Sequence, residues 1–261
     1  MKESKNIKLI ITYDGTDYAG WQRQKNKKTI QGVIEDNLRK ISGERNLKLY
    51  GAGRTDAGVH ALGQVANFKT RSTIPIEKWL VILNNLLPRD IRIKEVEEVA
   101  QEFNSRYSAK SRIYRYYLIN TLGKTETHGI QEVFLGRYCY YQDSILDLEI
   151  IKQTARYLLG SHDFSALSCK NNPAKKGRLP KDNIRNMKRI NVIRKNSLLI
   201  FSMEANAFLY KMARLIVGTL IDFSIGKREP KEILEVLRNK DNQKSGIVVP
   251  SNGLYLVTVK Y

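Results

Sequence analysis

The run Gly51-Ala52-Gly53-Arg54-Thr55-Asp56-Ala57-Gly58-Val59-His60 places one carboxylate, Asp56, in a glycine-rich turn two residues from Arg54. At pH 7 an aspartate of ordinary pKa, about 3.9, is almost fully ionised. Three glycines remove side-chain bulk, so the backbone can bring Asp56 against a large ligand. The plainer alternative is a turn in which Asp56 caps a backbone group. A dinucleotide-binding fingerprint would need Gly or Ala where Asp56 stands, because a carboxylate there repels pyrophosphate; a P-loop would need Gly-Lys-Ser/Thr. An aspartic-protease dyad needs two carboxylates sharing a proton, and Thr-Asp-Ala-Gly occurs once. Asp56 therefore reads as a solitary catalytic anion.

Two other segments carry chemistry. In Arg112-Ile113-Tyr114-Arg115-Tyr116-Tyr117-Leu118 every second residue puts Arg112, Tyr114, Tyr116 and Leu118 on one strand face. A base stacked on one of these tyrosines would gain about 1–3 kcal/mol, although Tyr and Ile also favour strands for ordinary reasons. Phe208-Leu209-Tyr210-Lys211-Met212-Ala213-Arg214 opens an apolar helix in which Phe208, Met212 and Leu215 fall at core spacing. A guanidinium on the buried side of that helix needs an anion, and Asp56 is the candidate for Arg214.

The field around these residues is strongly positive. Among 261 residues, 45 Lys and Arg face 26 Asp and Glu, a formal charge of +19, with a sequence pI near 9.8. That imbalance points to a polyanionic partner, nucleic acid before membrane, since no basic amphipathic helix stands out. Residues 1–104 carry 18 basic and 13 acidic side chains, and residues 105–261 carry 27 and 13. Between Lys170 and Lys195, ten basic residues stand against Asp182 alone, and Pro173, Gly177 and Pro180 mark a loop suited to gripping phosphates. Cys139 and Cys169 form no CxxC, and His60, His128 and His162 have no metal-ligand spacing, so reduced thiols and no metal are expected. Met1–Asn6 lacks a signal-peptide core and no run of about 18 apolar residues exists, which predicts a cytoplasmic protein.

Apolar periodicity supplies the elements that must hold these groups. The first half reads as a strand at 7–13, a helix from Ile30 closed by Gly43, strands at 47–52 and 64–70 flanking the Asp56 loop, a helix from Pro75 stopped by Pro88, and a strand at 91–96. The second half repeats βαββαβ with longer connections: strand 112–120, helix 148–159 closed by Gly160, strands 184–194 and 198–205, helix 208–225, an added helix at 230–239, and a last strand at 254–261. The expected class is α+β, two tandem ferredoxin- or RRM-like halves, 1–104 and 105–261. RRM domains bind RNA through sheet aromatics, but no RNP1 pattern is present.

Assembled in this order, the chain resembles the TruA family of tRNA pseudouridine synthases over nearly its whole length. The resemblance rests on Tyr13-Asp14-Gly15-Thr16, Gly20-Trp21-Gln22-Arg23-Gln24, Thr29-Ile30-Gln31, Gly53 to His60, and Asn85 to Asp90. It continues through Ser108-Ala109-Lys110, Tyr114-Arg115-Tyr116, His162-Asp163-Phe164, Ala207 to Arg214 with Val217-Gly218, and Gly253-Leu254-Tyr255-Leu256. It implies two RRM-like halves with a mostly antiparallel sheet and a central cleft, a homodimer, and no metal or organic cofactor. It also implies conversion of uridine to pseudouridine at positions 38, 39 and 40 of the tRNA anticodon arm. By matching position Asp56 is the nucleophile, Arg214 its partner, Tyr114 the residue stacked on the target base, and Arg54 the residue that helps displace the uridine.

Pseudouridine formation breaks the C1′–N1 bond, turns the uracil and rejoins it through C5. A carboxylate can attack C1′, add to C6 or take the C2′ proton, and the residues alone do not choose among these. Two other classes stay open on the residues: a non-catalytic RNA binder in which Asp56 is dispensable, and a metal-dependent nuclease built from Asp14, Asp17, Asp56 and His60. Charge reversal at Lys175, Lys176 and Arg178 is expected to weaken tRNA binding and flatten the slope of log affinity against log salt. An unchanged slope removes that loop from the contact surface.

Overall fold

The computed structural model describes residues 4–121, 133–169, 182–240 and 244–261. It divides into two compact units, Met1–Lys110 with Tyr255–Tyr261, and Ser111–Leu254. Both mix helices with a mostly antiparallel open sheet.

The first unit runs β1 (Lys5–Tyr13), α1 (Ile30–Ser42), β2 (Leu49–Gly51), β3 (His60–Thr70), α2 (Ile76–Leu86) and β4 (Ile91–Val99). Its strands lie in the order β4-β1-β3, antiparallel throughout, with β2 antiparallel on the outer edge of β3 at residues 66–68. Alternation along β1 buries Ile7, Leu9, Ile11 and Tyr13. Ile7 stands opposite Phe68, whose ring meets Trp79 of α2 edge-on at 5.3 Å, so this face of the sheet takes the helix.

Helix α1 begins where the Thr29 side chain accepts from Gly32 N, and ends at Gly43 in the left-handed region. Ile30, Ile34 and Leu38 form its buried stripe. Two polar residues are buried with them. Gln31 Nε2 donates to Leu49 O at 3.0 Å, and Glu35 Oε1 accepts from Leu49 N at 3.0 Å. The helix thus completes the backbone hydrogen bonding of the short strand that leads into the Asp56 loop.

One boundary and one placement differ from the periodicity. Strand β3 starts at His60, not residue 64, because His60 and Ala61 pair in parallel with Tyr255 and Leu256 of β10 (Leu254–Lys260). The last strand, expected with the second half, therefore clusters from Tyr255 onward with the first unit; local sequence order says nothing about which edge a terminal strand will find.

The second unit runs β5 (Ser111–Asn120), β6 (Tyr140–Gln142), α3 (Leu148–Arg156), β7 (Gly160–Asp163), β8 (Ile184–Lys195), β9 (Leu198–Ala205), α4 (Met212–Ile225) and α5 (Ile233–Asn239). The sheet order is β6-β5-β9-β8-β7, with β6 parallel to β5 and the other pairs antiparallel. The short strands β6 and β7 were not expected, since three or four residues carry no measurable alternation. Gly160 does not close a helix: α3 ends at Arg156, and Gly160, at φ 93°, opens β7. Nor does α4 begin at Phe208. Lys211 stands at φ 58°, and the Asn206 side chain accepts from the backbone N–H groups of Asn186 and Ala207, a local bond that competes with helix. Of the basic run, Lys170, Lys175, Lys176, Arg178 and Lys181 lie outside the described residues.

Replacing Glu35 with Ala removes the acceptor for Leu49 N and the carboxylate shared by Arg23 at 3.3 Å and Arg39 at 3.5 Å. A loss of about 1–3 kcal/mol is expected in urea denaturation; unchanged stability would show that α1 does not hold β2.

Candidate active site

The Asp56 loop joins β2 to β3 and is gripped by backbone on both flanks. At its entry, a Cβ on Gly51 would lie 2.5 Å from the indole Nε1 of buried Trp21. Trp21 N donates to Thr55 O at 3.0 Å, and Ala52 N to Val65 O at 2.8 Å. Gln64 Nε2 donates to Gly53 O at 2.8 Å, and the hydroxyls of Tyr13 and Thr55 share a buried 2.8 Å hydrogen bond. The tip is a turn in which Val59 N donates to Asp56 O at 3.2 Å, with Gly58 at φ 76°.

Two glycines outside the loop make the grip possible. Gly20, at φ 86°, would put a Cβ 2.6 Å from Thr55 O and 3.0 Å from the carbonyl carbon of Asp56; Gly15 would put one 2.0 Å from Val59 O. Only a residue without a side chain admits backbone this close. His60 is buried, and its Nδ1 lies 3.2 Å from both Gly15 N and Asp14 Oδ1, which ties the end of the loop to the Asp14–Gly15 backbone. Its ring stacks on Tyr255 at 4.6 Å and 19°. Tyr18 fixes the far end of the Asp14–Trp21 segment by donating to Asp90 Oδ1 at 2.7 Å. Burial first, then that hydrogen bond and the nearby carboxylates, hold its phenol above the ordinary range. Asp56 is half-buried at the centre of this frame and Arg54 is exposed beside it.

Tyr114 and Arg214 belong to the second unit. Tyr114 is buried on β5 opposite Met203, with Phe208 edge-on at 4.8 Å and 73°. Arg112, on the same face, donates through Nη1 to Asn206 O at 2.7 Å, which steadies the bend that delivers Phe208. Arg214 leaves the first turn of α4 half-buried, and its Nε donates to Val249 O at 2.7 Å. Tyr116 OH donates to the next carbonyl, that of Pro250, at 2.8 Å. Burial raises the Tyr116 phenol, and the positive charge of Arg214 opposes that rise. The segment carrying both carbonyls lies tight on α4, where a Cβ on Gly218 would fall 1.8 Å from Ile247 O.

Sequence reading pointed to Asp56, Arg54, Tyr114 and Arg214 but missed what holds Arg214 and its neighbour Tyr116. Backbone carbonyls at Val249 and Pro250 have no side-chain signature; the one available signal was Gly218 inside an apolar helix, which marks close backbone approach. Among the described residues no group of three or more His, Cys, Asp or Glu is arranged to hold a metal ion. Among those residues, too, no helix is long and apolar enough to cross a membrane.

Comparisons with known proteins converge. Residues 9–108 and 154–261 match the family model described as tRNA pseudouridine synthase. The chain is 43% identical over 257 residues to the tRNA pseudouridine synthase A of Caldicellulosiruptor saccharolyticus, covering 98% of this chain and 100% of that one. It is 42% identical to the tRNA pseudouridine synthase A of Acetivibrio thermocellus at the same coverage. Against tRNA pseudouridine synthase A 2 of Clostridium tetani it is 40% identical over 260 residues, 99% of each chain. It also overlays on part of a solved structure titled "Crystal Structure of a Cbf5-Nop10-Gar1 Complex", spanning 82% of this chain and 53% of that one at a TM-score of 0.32 and 12% identity. A likeness that weak carries no argument.

Gly20→Ala, which strains a left-handed φ and drives a methyl into Thr55 O, is expected to cost about 1–3 kcal/mol in chemical denaturation. Wild-type stability in that variant would contradict the close approach.

Proposed function

The chain belongs to the tRNA pseudouridine synthase family and isomerises uridine in tRNA; from that premise we propose that its targets are uridines 38, 39 and 40 of the anticodon arm and that Asp56 is the nucleophile. One observation carries the assignment to Asp56. It is a half-buried carboxylate on a loop whose backbone is fixed by Gly15, Gly20 and Trp21, while its own side chain stands at the turn. Fixed position matters because an attacking group must be within about 3–3.5 Å of the reacting carbon.

In this reading the target uridine leaves the stem, at a cost of a few kcal/mol of unstacking. Arg54, exposed beside Asp56, fills the space it vacates, and the Tyr114 ring, braced by Phe208, receives the base. Stacking of about 1–3 kcal/mol offsets the unstacking. Asp56 takes up the bond to the ribose or the base while the C1′–N1 bond breaks. The uracil turns, C5 bonds to C1′, and the bond to Asp56 breaks so that the carboxylate is restored; the C5 proton leaves to solvent and N1 takes one up. Atoms balance without oxidant or reductant. Arg214, oriented through its bond to Val249 O, is in this reading the cationic partner of Asp56. The same reading makes the working enzyme a cytoplasmic homodimer of two ferredoxin-like halves, needing no metal or organic cofactor.

Asp56→Asn keeps the shape of the site and removes the nucleophile. It is expected to bind unmodified tRNA with near wild-type affinity, yet to release tritium from [5-³H]uridine-labelled tRNA about 10⁴-fold more slowly or not at all. Wild-type release by that variant would exclude Asp56 as the nucleophile.

A further inference from the structure

We propose that the first unit carries a second base-stacking station, formed by Tyr107 and Arg106 beside Tyr50, Lys48 and Lys69, which holds an unpaired nucleotide of the substrate other than the reacting uridine. The proposal rests on the reading of this protein as a tRNA-modifying enzyme.

Tyr107 is 80% exposed, at the tip of a loop that is otherwise firmly built. The Asn104 side chain accepts from Arg106 N at 3.0 Å and Tyr107 N at 3.2 Å; Ser108 N donates to Asn104 O at 2.9 Å, and Asn104 N to Ser108 Oγ at 3.2 Å. Ser105 anchors the loop from fully buried ground. Its N–H donates to Asn67 Oδ1 at 2.9 Å, its hydroxyl donates to Tyr50 O, and its carbonyl accepts from Tyr261 OH at 2.8 Å. A lone exposed aromatic on a mobile loop would need no explanation. This one is set on a fixed support, so the ordering cost of presenting it is met when the protein folds.

Its surroundings fit a nucleotide. The Arg106 guanidinium lies 5.5 Å from the Tyr107 ring centre, within cation–π range, and most of the ring stays open to a planar ligand. Ser105 ties the loop to β2, where Tyr50 is 48% exposed. Tyr50 stands opposite Asn67, and Leu49 opposite Phe68, which turns Leu49 to the helix side and Tyr50 to the other. By the same alternation exposed Lys48 and Lys69 share the Tyr50 face. No described carboxylate is within ion-pair distance of either lysine, unlike Lys8 on the same face, which pairs with Glu97. Aromatic rings interleaved with Lys48 and Lys69 match a single-stranded nucleic acid: bases stack on the rings and phosphates meet the lysines. Tyr50 is six residues before Asp56, a span of at most about 22 Å of extended chain, so one RNA arm can reach both.

The test measures affinity of purified protein for unmodified full-length tRNA, tritium release, and sedimentation, for wild type, Tyr107→Ala and Tyr107→Trp. Tyr107→Ala is expected to raise both Kd and KM about 5-fold or more, with kcat within twofold and the thermal midpoint unchanged, while Tyr107→Trp, which keeps a stacking face, restores wild-type binding. A Kd within twofold of wild type in the Ala variant overturns the proposal and leaves the catalytic reading intact. So does a loss of affinity that Trp does not restore, or an effect confined to the oligomeric state, which assigns the surface to a protein contact. If wild type binds tRNA through Tyr107 but releases no tritium, the station stands and the catalytic reading falls; wild type that binds no tRNA overturns both.

Discussion

The close approach of two glycine backbones to the Asp56 loop is the constraint on which the site depends. A loop with three glycines of its own has a large conformational entropy and would not hold a nucleophile still. Here Gly15 lies against Val59 and Gly20 against Thr55 and Asp56, closer than any residue with a Cβ would allow. Rigidity is thus supplied from the preceding segment. That segment is itself held by Tyr18 on Asp90 and by the Ile30 and Gln31 N–H groups, which donate to Gly20 O and Trp21 O.

The support continues outward through α1. Gln31 and Glu35 are buried polar groups on a helix whose other buried positions are apolar, an arrangement that costs stability unless every polar atom is satisfied. They are satisfied by Leu49, so the helix, the strand that enters the loop and the Gly20–Trp21 segment form one hydrogen-bonded unit. The second unit uses a related device: Val249 and Pro250 present consecutive carbonyls that receive Arg214 and Tyr116. Placement of a charged side chain there depends on backbone geometry, which Gly218 permits by letting the segment lie on α4.

Much of this was legible from residue order. The strand at β1, the helices at α1 and α2, and β5, β8 and β9 were visible because each is long enough for its apolar period to show, and Gly43 marked the end of α1. The family was legible because Gly53 to His60 is a rare combination. What escaped has physical reasons. Strands β6 and β7 are too short for a period, and Gly160 marks the same left-handed geometry whether it ends a helix or begins a strand. Lys211 hides a left-handed break that a lysine does not advertise. The last strand pairs with β3, where Tyr255 meets His60 across 255 − 60 = 195 residues of sequence, and no local pattern encodes such a partner. Gly15 and Gly20 entered only as parts of the family-like motifs, whereas their role in the fold is to leave room for another part of the chain.

The central claim is that Asp56, held in this frame, converts uridines of the tRNA anticodon arm. Its most direct test is to map pseudouridine in bulk tRNA from a strain lacking the gene, then from the same strain carrying either the wild-type or the Asp56→Asn allele. The account requires pseudouridine at positions 38 to 40 to vanish in the deletion and to return only with the wild-type allele. Pseudouridine that persists in the deletion, or that the Asn allele restores, would contradict it.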